Sequence, residues 1–294
     1  MKTTIVIVTY KSGIIHKCIK NLYKKYKIII VENSNDLKFK KKIESNYINT
    51  KCILSGSNLG FARANNIGLK QVKTKFALLI NPDVIISKTQ IKKIENYAKK
   101  IKKFSILAPN SNGFFETLSN NFDKYSVKKR ELENIKKAFI KKEFFEIDFV
   151  PGWCMYLNMR DIKKVKYFDK NFFLYYEDTD LCKRLKNLNK KLFVISNIKI
   201  HHIFGASVNK KEMYKTYLVR HWHLYWSSFY YHRKHYGFFI SFRVHFSKLL
   251  RFFFMKNLHL IKNNKNLYNL YSAQLDGLVN QILNKSAFSG LILK

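Results

Sequence analysis

The apolar run at 76–80, which leads directly into Asn81-Pro82-Asp83, constrains the fold of this chain more than any other segment. A short run of this kind is typical of a strand that is covered on both faces of an α/β sheet. Pro82 has no backbone N–H, so regular strand pairing should stop there. Because ligands of open α/β sheets bind beyond the carboxyl ends of the strands, Asp83 is a candidate ligand for a hard cation that bridges a phosphate. A plain turn, or a cap on the next helix by Asp83 or Ser87, is the structural alternative.

Strand and helix patterns alternate along the N-terminal part of the chain. We predict strands at 4–8, 27–31, 51–54 and 76–80, with helices reaching about Lys25 and from about 61 to 72. This alternation is typical of a largely parallel, doubly wound sheet and places the chain in the α/β class. Further strands are predicted around 147–157 and as a strand pair at 191–200, and the charged stretch 113–146 is predicted to be an insertion or loose helices. The first, second and fourth strands end in polar residues, which we expect to face one crevice.

The net charge of +37 over 294 residues raises the question of an anionic partner. Of the basic residues 48 are Lys and only 8 are Arg. Specific base readout and bidentate phosphate binding favour Arg, so no nucleic-acid partner is expected. The Lys excess accompanies much Asn and Ile, which is typical of an AT-rich genome that codes for a solvated surface in Lys. Attraction toward an anionic membrane or anionic substrates is the alternative interpretation.

The four cysteines, at positions 18, 52, 154 and 182, include no CxxC pair. They are therefore predicted to be reduced and partly buried, as in a cytosolic protein, and not to form a zinc or thioredoxin-like site. The N-terminus enters a strand directly, and no uncharged apolar stretch of about 18 residues occurs, so neither a signal peptide nor a spanning helix is expected. We predict a cytoplasmic location, with peripheral attachment to the inner face of the cell membrane left open.

Three carboxylates lie close together in Glu177-Asp178-Thr179-Asp180, directly after an aromatic run at 172–176. One acid in a first helical turn is explained by the helix dipole, but three within four residues are harder to explain structurally. Mutual repulsion and nearby aromatic rings should raise at least one pKa, which suits a general base for a hydroxyl. His202 lies beyond a predicted strand end, where it could contact a metal or phosphate or be structural, with His201 beside it.

The sequence becomes aromatic and basic from about residue 212. We predict two domains, residues 1–211 as the α/β domain and residues 212–294 as a helical C-terminal region. One apolar stripe recurs there at helical spacing and comprises Phe239, Phe242, Phe246, Leu249, Leu250 and Phe253. This stripe indicates either a helix packed on the protein or on a second copy, or a helix that lies in a membrane interface.

Seven blocks in a fixed order resemble the family 2 glycosyltransferases, and most closely their rhamnosyltransferase-like branch. The blocks are TIVIVTYKS, IIIVENSN, SNLGFARANNIG, FALLINPDV, FVPGWCMYL, FFLYYEDTDLCKRL and HHIFGAS, and they cover roughly residues 3–210. The resemblance implies a GT-A nucleotide-diphospho-sugar transferase fold and a divalent metal, Mg or Mn. It also implies a dTDP- or UDP-sugar donor and inversion at the anomeric carbon.

The resemblance also implies roles for individual residues. Thr9 and Tyr10 would line the nucleotide pocket, Glu32 would contact the base or ribose, and Asn66 with its loop would flank the donor. Asn81-Pro82-Asp83 would replace the family's DxD motif, with Asp83 as a metal ligand. Asp178 would be the catalytic base. His202, matched to the His of an HxxGxS pattern, would complete the metal or diphosphate site.

Three departures from the family pattern affect donor identity more than reaction type. Lys11 replaces the usual Asn after Thr-Tyr, and Glu32 stands where Asp is usual. Lys166-Tyr167 occupies the place where a Gly pair commonly precedes Phe-Asp.

These features predict an inverting glycosyltransferase that moves a sugar, rhamnose-like by resemblance, to a growing surface polysaccharide or a lipid-linked glycan. The alternatives are a basic nucleic-acid-binding protein and a catalytically silent sugar-nucleotide-binding protein of the same fold.

Overall fold

The structure is a computed structural model that describes residues 3–10, 12–111, 129–203 and 213–290. Some of the sequence predictions lie outside these ranges. They concern Lys11, the first part of the charged stretch up to residue 128, the residues 204–207 of the HxxGxS pattern, and the domain boundary at 211–212.

Nine strands from the described residues form a mixed sheet in the order β3-β2-β1-β4-β8-β6-β9-β5, and β7 pairs with β9 beside this path. The strands are Thr3–Thr9 (β1), Lys27–Glu32 (β2), Thr50–Leu54 (β3), Phe76–Ile80 (β4), Val84–Ile85 (β5), Ile106–Ser111 (β6), Phe144–Glu146 (β7), Cys154–Asn158 (β8) and Leu192–His202 (β9). Pairing is parallel from β3 through β2 and β1 to β4, and between β6 and β9. It is antiparallel where β8 enters between β4 and β6, and where β5 and β7 pair with β9.

The side chains of β1 explain why this segment forms an interior strand of the sheet. Every residue of β1 is β-branched, which restricts χ1 and favours a strand, and β1 pairs with a strand on each side. Gly68 lets a helix approach this part of the sheet, because a Cβ at that position would lie 2.6 Å from Val6 Cγ1. The α/β architecture predicted from the sequence is confirmed, but the sheet is mixed and not largely parallel, since four of the described strand pairings are parallel and four are antiparallel.

Helices connect the strands and make up most of the C-terminal region. They are Ile15–Ile19 (α1), Leu37–Asn46 (α2), Gly60–Lys70 (α3), Lys88–Ile101 (α4), Lys129–Lys141 (α5), Met159–Lys164 (α6), Glu177–Lys186 (α7), Met213–Tyr236 (α8), Phe238–Ile261 (α9) and Lys265–Ile282 (α10). Ser87 caps α4 through a capping box with Gln90, so the start of this helix does not require Asp83.

The strand pair predicted at 191–200 is wrong, because the structure has the single long strand β9 there. The polar residues Ser196 and Asn197 lie where the register against β6 shifts. Ile195 pairs with Pro109, whereas Asn110 pairs with Lys199. The extra residues therefore bulge out of the ladder without reversing the chain.

The chain divides into two compact units. The first comprises Met1–Gly56, Ala64–Phe168 and Asp178–Ser207, and the second comprises Ser57–Arg63, Asp169–Glu177 and Val208–Lys294. The second unit has its own apolar core, built from Phe173, Trp222, Trp226, Ala273 and Ala287. Among the described helices, none is both long and apolar enough to span a membrane.

Candidate functional site

The predicted nucleotide-pocket residues lie at the carboxyl ends of neighbouring parallel strands. Thr9 of β1 is in register with Glu32 of β2, and both side chains are buried. The Glu32 carboxylate accepts a hydrogen bond of 2.7 Å from Ser34 Oγ, which holds it in one orientation. Tyr10 follows Thr9 and is half-buried. This edge is where an open α/β sheet binds ligands.

The structure brings Asp83 and His202 together, although they are 119 positions apart in sequence. Val84 of β5 is in register with His202 of β9, and the Ile203 backbone N–H donates to the Asp83 carbonyl at 2.9 Å. Asp83 Oδ1 lies 3.2 Å from His202 Nε2, and both side chains are buried. The backbone ladder between β5 and β9 therefore fixes a carboxylate and an imidazole side by side.

Besides burial, the negative charge of Asp83 contributes to the raised pKa of the nearby Cys18 thiol. Burial, with the negative charge of Asp83 as the second cause, raises the pKa of Cys18 to about 12. The thiol lies 3.9 Å from the carbonyl oxygen of Asn81, at the start of the same turn. Cys18 is therefore a neutral, apolar neighbour of the site.

Asp178 is partly buried and is oriented by three hydrogen bonds. The Gly152 N–H donates to Oδ2 at 2.8 Å, and Thr179 donates to Oδ1 from its backbone N–H at 2.8 Å and from its hydroxyl at 3.3 Å. Burial nevertheless outweighs these hydrogen bonds and raises the pKa of Asp178. A fixed carboxylate with a raised pKa is suited to accept a proton.

The neighbouring acid Asp180 has a structural role instead. Its fully buried carboxylate forms an ion pair of 2.7 Å with Arg184, one turn later on α7. Arg184 also donates to the carbonyls of Val165 and Tyr167. Two of the three acids of the cluster therefore differ: Asp180 is neutralised by an ion pair with Arg184, whereas the Asp178 carboxylate accepts hydrogen bonds from Gly152 and Thr179.

The Arg184 contacts stabilise the turn at Lys166-Tyr167, where the family that the sequence resembles commonly has a Gly pair. Lys166 and Tyr167 both have positive φ, at 58° and 64°. This left-handed region favours glycine, and other residues adopt it at a cost of roughly 1–2 kcal/mol each. The hydrogen bonds from Arg184 to both sides of Lys166 hold this strained turn in place.

The segment Gly152-Trp153 contacts both halves of the candidate site. The Gly152 N–H binds Asp178, and the Trp153 carbonyl accepts a 2.9 Å hydrogen bond from the Asn81 N–H. The Trp153 ring also packs on the His202 ring, with 5.2 Å between centroids. Neither residue is among the predicted site residues, although Pro151-Gly152-Trp153 interrupts a strand-like region of the sequence, which is a signal that could have pointed to them.

Asn66 is placed differently from the other predicted site residues. Its side chain donates to the Phe168 carbonyl at 2.8 Å and accepts from the Phe168 N–H at 3.0 Å. Both polar atoms of the amide are therefore used to bind one backbone residue. The donor-flanking role of Asn66 stays a prediction, which these contacts do not support.

The protein residues fit a cation that is shared with a phosphate-bearing ligand. The described part of the chain contains no group of three or more His, Cys, Asp or Glu residues that could hold a metal by itself. Asp83 and His202 supply one oxygen and one nitrogen, a donor set that suits Mn²⁺ and, through the carboxylate, Mg²⁺. An ion held by these two residues would have coordination positions left for water and for phosphate oxygens.

Comparison with solved structures gives the class of protein. A mannosyltransferase from Pyrobaculum calidifontis, solved with GDP-Man and Mn²⁺, superposes with a TM-score of 0.57 at 11% identity and covers 97% of this chain and 88% of its own. At this identity the likeness shows the fold alone, which is the GT-A glycosyltransferase fold.

Sequence comparison then gives the family. The sequence profile of Glycosyl transferase family 2 matches residues 4–166, and this chain belongs to that family. Rhamnosyltransferase WbbL of Escherichia coli (strain K12) is 30% identical over 68% of this chain and 79% of its own length. Low-salt glycan biosynthesis hexosyltransferase Agl10 of Haloferax volcanii is 25% identical over 63% of this chain, which spans only 62% of that relative. The glycosyltransferase prediction is confirmed, and neither the nucleic-acid-binding nor the catalytically silent alternative is favoured.

Proposed function

We propose that this protein is an inverting glycosyltransferase that moves a rhamnose-like sugar from a nucleoside-diphosphate donor to a surface polysaccharide or lipid-linked glycan. The sugar is suggested by the similarity to a relative named as a rhamnosyltransferase. A nucleotide-sugar donor is supported by the structural neighbour solved with GDP-Man. The four cysteines are free and buried, which agrees with a reducing cytoplasm, where we expect the reaction to occur.

The environment of Asp178 is the observation that carries the proposed mechanism. Its carboxylate accepts the proton of the acceptor hydroxyl as the hydroxyl oxygen attacks the anomeric carbon and the bond to the nucleoside diphosphate breaks. The raised pKa brings the carboxylate closer to the working pH as a base. The Gly152 and Thr179 N–H groups hold both of its oxygens, so the base is oriented before the acceptor arrives.

We propose that Asp83 and His202 hold a divalent cation, Mg²⁺ or Mn²⁺. Such a cation would supply positive charge against the negative charge that develops on the leaving diphosphate. Trp153 packs on His202 and excludes water from one side of the imidazole. Thr9, Tyr10, Glu32 and Asn81 are proposed to contact the nucleotide at the sheet edge. Glu32, held by Ser34, reaches one methylene further than the family's usual Asp.

A donor panel tests the proposal without knowledge of the acceptor. The full chain is incubated with Mg²⁺ or Mn²⁺ and dTDP-, UDP- or GDP-sugars, and release of the nucleoside diphosphate is measured. We expect slow hydrolysis of one donor, and dTDP-rhamnose is the first candidate. This hydrolysis should be absent when EDTA removes the metal. Once an acceptor is found, NMR of the product reports the anomeric configuration, and retention would refute Asp178 as the base of a single displacement.

A further inference from the structure

The helix α9 exposes a wide apolar face. Eight large apolar side chains on this helix are 46–87% exposed: Phe239, Ile240, Phe246, Leu250, Phe253, Phe254, Leu260 and Ile261. At about 100° per residue they spread over one half of the helix, with its centre near Phe246 and Leu250. Single exposed apolar residues are normal, but a continuous face of this kind marks an interaction surface.

The opposite side of α9 fixes which face points outward. Ser241, His245 and Phe252 are buried against the rest of the second unit. The Ser228 hydroxyl pairs with His245 Nε2 at 2.8 Å, and the Phe252 ring packs edge-on against Tyr225. Of the stripe predicted from the sequence, Phe242 and Leu249 are half-buried against this core and do not belong to the exposed face. The outward apolar face therefore does not pack on the described residues of the unit.

The Lys and Arg side chains of α9 itself, at positions 243, 248, 251 and 256, have no acidic counterpart on this helix. The sequence of α9 contains no Asp or Glu, and Asp276, whose carboxylate accepts a 2.6 Å hydrogen bond from Trp222 Nε1, is the sole acid in residues 213–290. Arg243 is exposed within the apolar face. Arg251 and Lys256 lie about 110° to either side of its centre, as expected for cations that reach from the edges of a buried face toward headgroups.

These charges select the partner. A second copy of the chain on this face would bring basic surface against basic surface in a protein of net charge +37. An anionic bilayer offers apolar depth for the Phe and Leu side chains and negative headgroups for the Arg and Lys side chains. We propose that α9 is a membrane-docking helix that lies in the headgroup region of an anionic leaflet with its exposed face toward the acyl chains. This inference rests on α9 alone and does not depend on the donor, the metal or the base.

Vesicle flotation with the full chain tests this docking. Vesicles of phosphatidylcholine with about one third phosphatidylglycerol are compared with pure phosphatidylcholine at low and physiological salt. We expect binding to the anionic vesicles that falls at least about tenfold in the double variant Phe239→Ser/Phe253→Ser, since affinity scales with inserted apolar area. Arg243→Ala should weaken it about fivefold, the equivalent of ~1 kcal/mol per cation near the surface.

The matched control is Ile140→Ser, which removes an apolar side chain that is 86% exposed on α5. It should leave vesicle binding unchanged. Binding that survives Phe239→Ser/Phe253→Ser would mean that the overall positive charge alone holds the protein to vesicles, and would overturn the proposal. A dimer in sedimentation velocity that these same substitutions convert to a monomer would also overturn it, in favour of a second copy. Circular dichroism of the variants confirms that the helices remain folded.

Discussion

Replacement of Asp178 by Asn tests the catalytic proposal with the smallest change of shape. The Asn amide has nearly the same shape as the Asp carboxylate. It cannot take the proton from the attacking hydroxyl group at neutral pH. General-base assistance contributes about 10²–10⁴ in rate, so kcat should fall by that factor. This corresponds to roughly 3–5 kcal/mol in the activation barrier. Donor affinity should stay near that of the original protein, because none of the observed Asp178 contacts involves the sheet edge where the nucleotide is proposed to bind.

The structural cost of Asp178→Asn can be judged from its hydrogen bonds. The carboxylate accepts N–H groups on both oxygens, from Gly152 and from Thr179, whereas an amide has only one acceptor oxygen. One N–H must then face the amide NH₂, which costs about 1–3 kcal/mol. The substitution also has a stabilising effect on the folded state, because it removes a carboxylate whose pKa is raised by burial. Such a group lowers the stability of the folded state most at pH values above its folded pKa and not at all well below its ordinary pKa. The two effects oppose each other at neutral pH, so the free energy of unfolding should change by less than about 2 kcal/mol.

The assay is nucleoside-diphosphate release at saturating donor and acceptor, followed as a function of pH. As the pH is lowered, kcat of the original protein should fall once Asp178 becomes protonated and can no longer act as a base. Because the pKa of Asp178 is raised, this fall should occur at a higher pH than for an ordinary Asp. This acid limb of the pH profile should be missing in the residual activity of Asp178→Asn. The matched control is Asp148→Asn, which removes an exposed carboxylate that pairs with Lys186. If Asp178→Asn kept more than about a third of the original kcat with an unchanged acid limb, the assignment of the base would be refuted.

Three further predictions concern neighbouring residues. Asp83→Ala should abolish the dependence of donor binding on Mg²⁺ or Mn²⁺ in calorimetry, and an unchanged metal requirement would mean that the Asn-Pro-Asp turn is only structural. Asp180→Asn should lower the free energy of unfolding by roughly 3–5 kcal/mol in urea titrations, since it leaves Arg184 without its buried ion-pair partner; a loss below about 1 kcal/mol would contradict this. Cys18 should not react with a thiol reagent at pH 8 in the folded protein, because its pKa of about 12 keeps the thiol protonated, and rapid labelling before unfolding would contradict its placement.

The parallel half of the fold could be predicted because it follows from local pattern. β1 is entirely β-branched, and β4 ends at Ile80, just before the turn Asn81-Pro82, so the predicted strand has the observed bounds. The antiparallel entry of β8 between β4 and β6 could not be predicted. It depends on how distant segments pair, and β8 by itself reads as an ordinary apolar run. The same limit explains the error at β9, where a bulge and a turn have similar local composition.

The candidate site could be predicted as a set of residues but not as an arrangement. The sequence pattern offered Asp83, His202 and the acids at 177–180 as candidates and the family resemblance gave each its role, whereas their contacts come from tertiary structure. Nothing in the acid cluster shows that Asp180 is neutralised by an ion pair and that Asp178 is not. That difference depends on Arg184, whose other hydrogen bonds go to a strained turn.

The pairing of β5 with β9 has a consequence for the order of events in folding. It joins residues 119 positions apart through a strand of only two residues, and such a contact forms after the chain has closed a long loop. A cation held by Asp83 and His202, as proposed, would therefore find both ligands only when the sheet is nearly complete, and we expect no role for it in nucleating the fold. Bound Mn²⁺ should accordingly slow unfolding in stopped-flow experiments and leave the refolding rate almost unchanged.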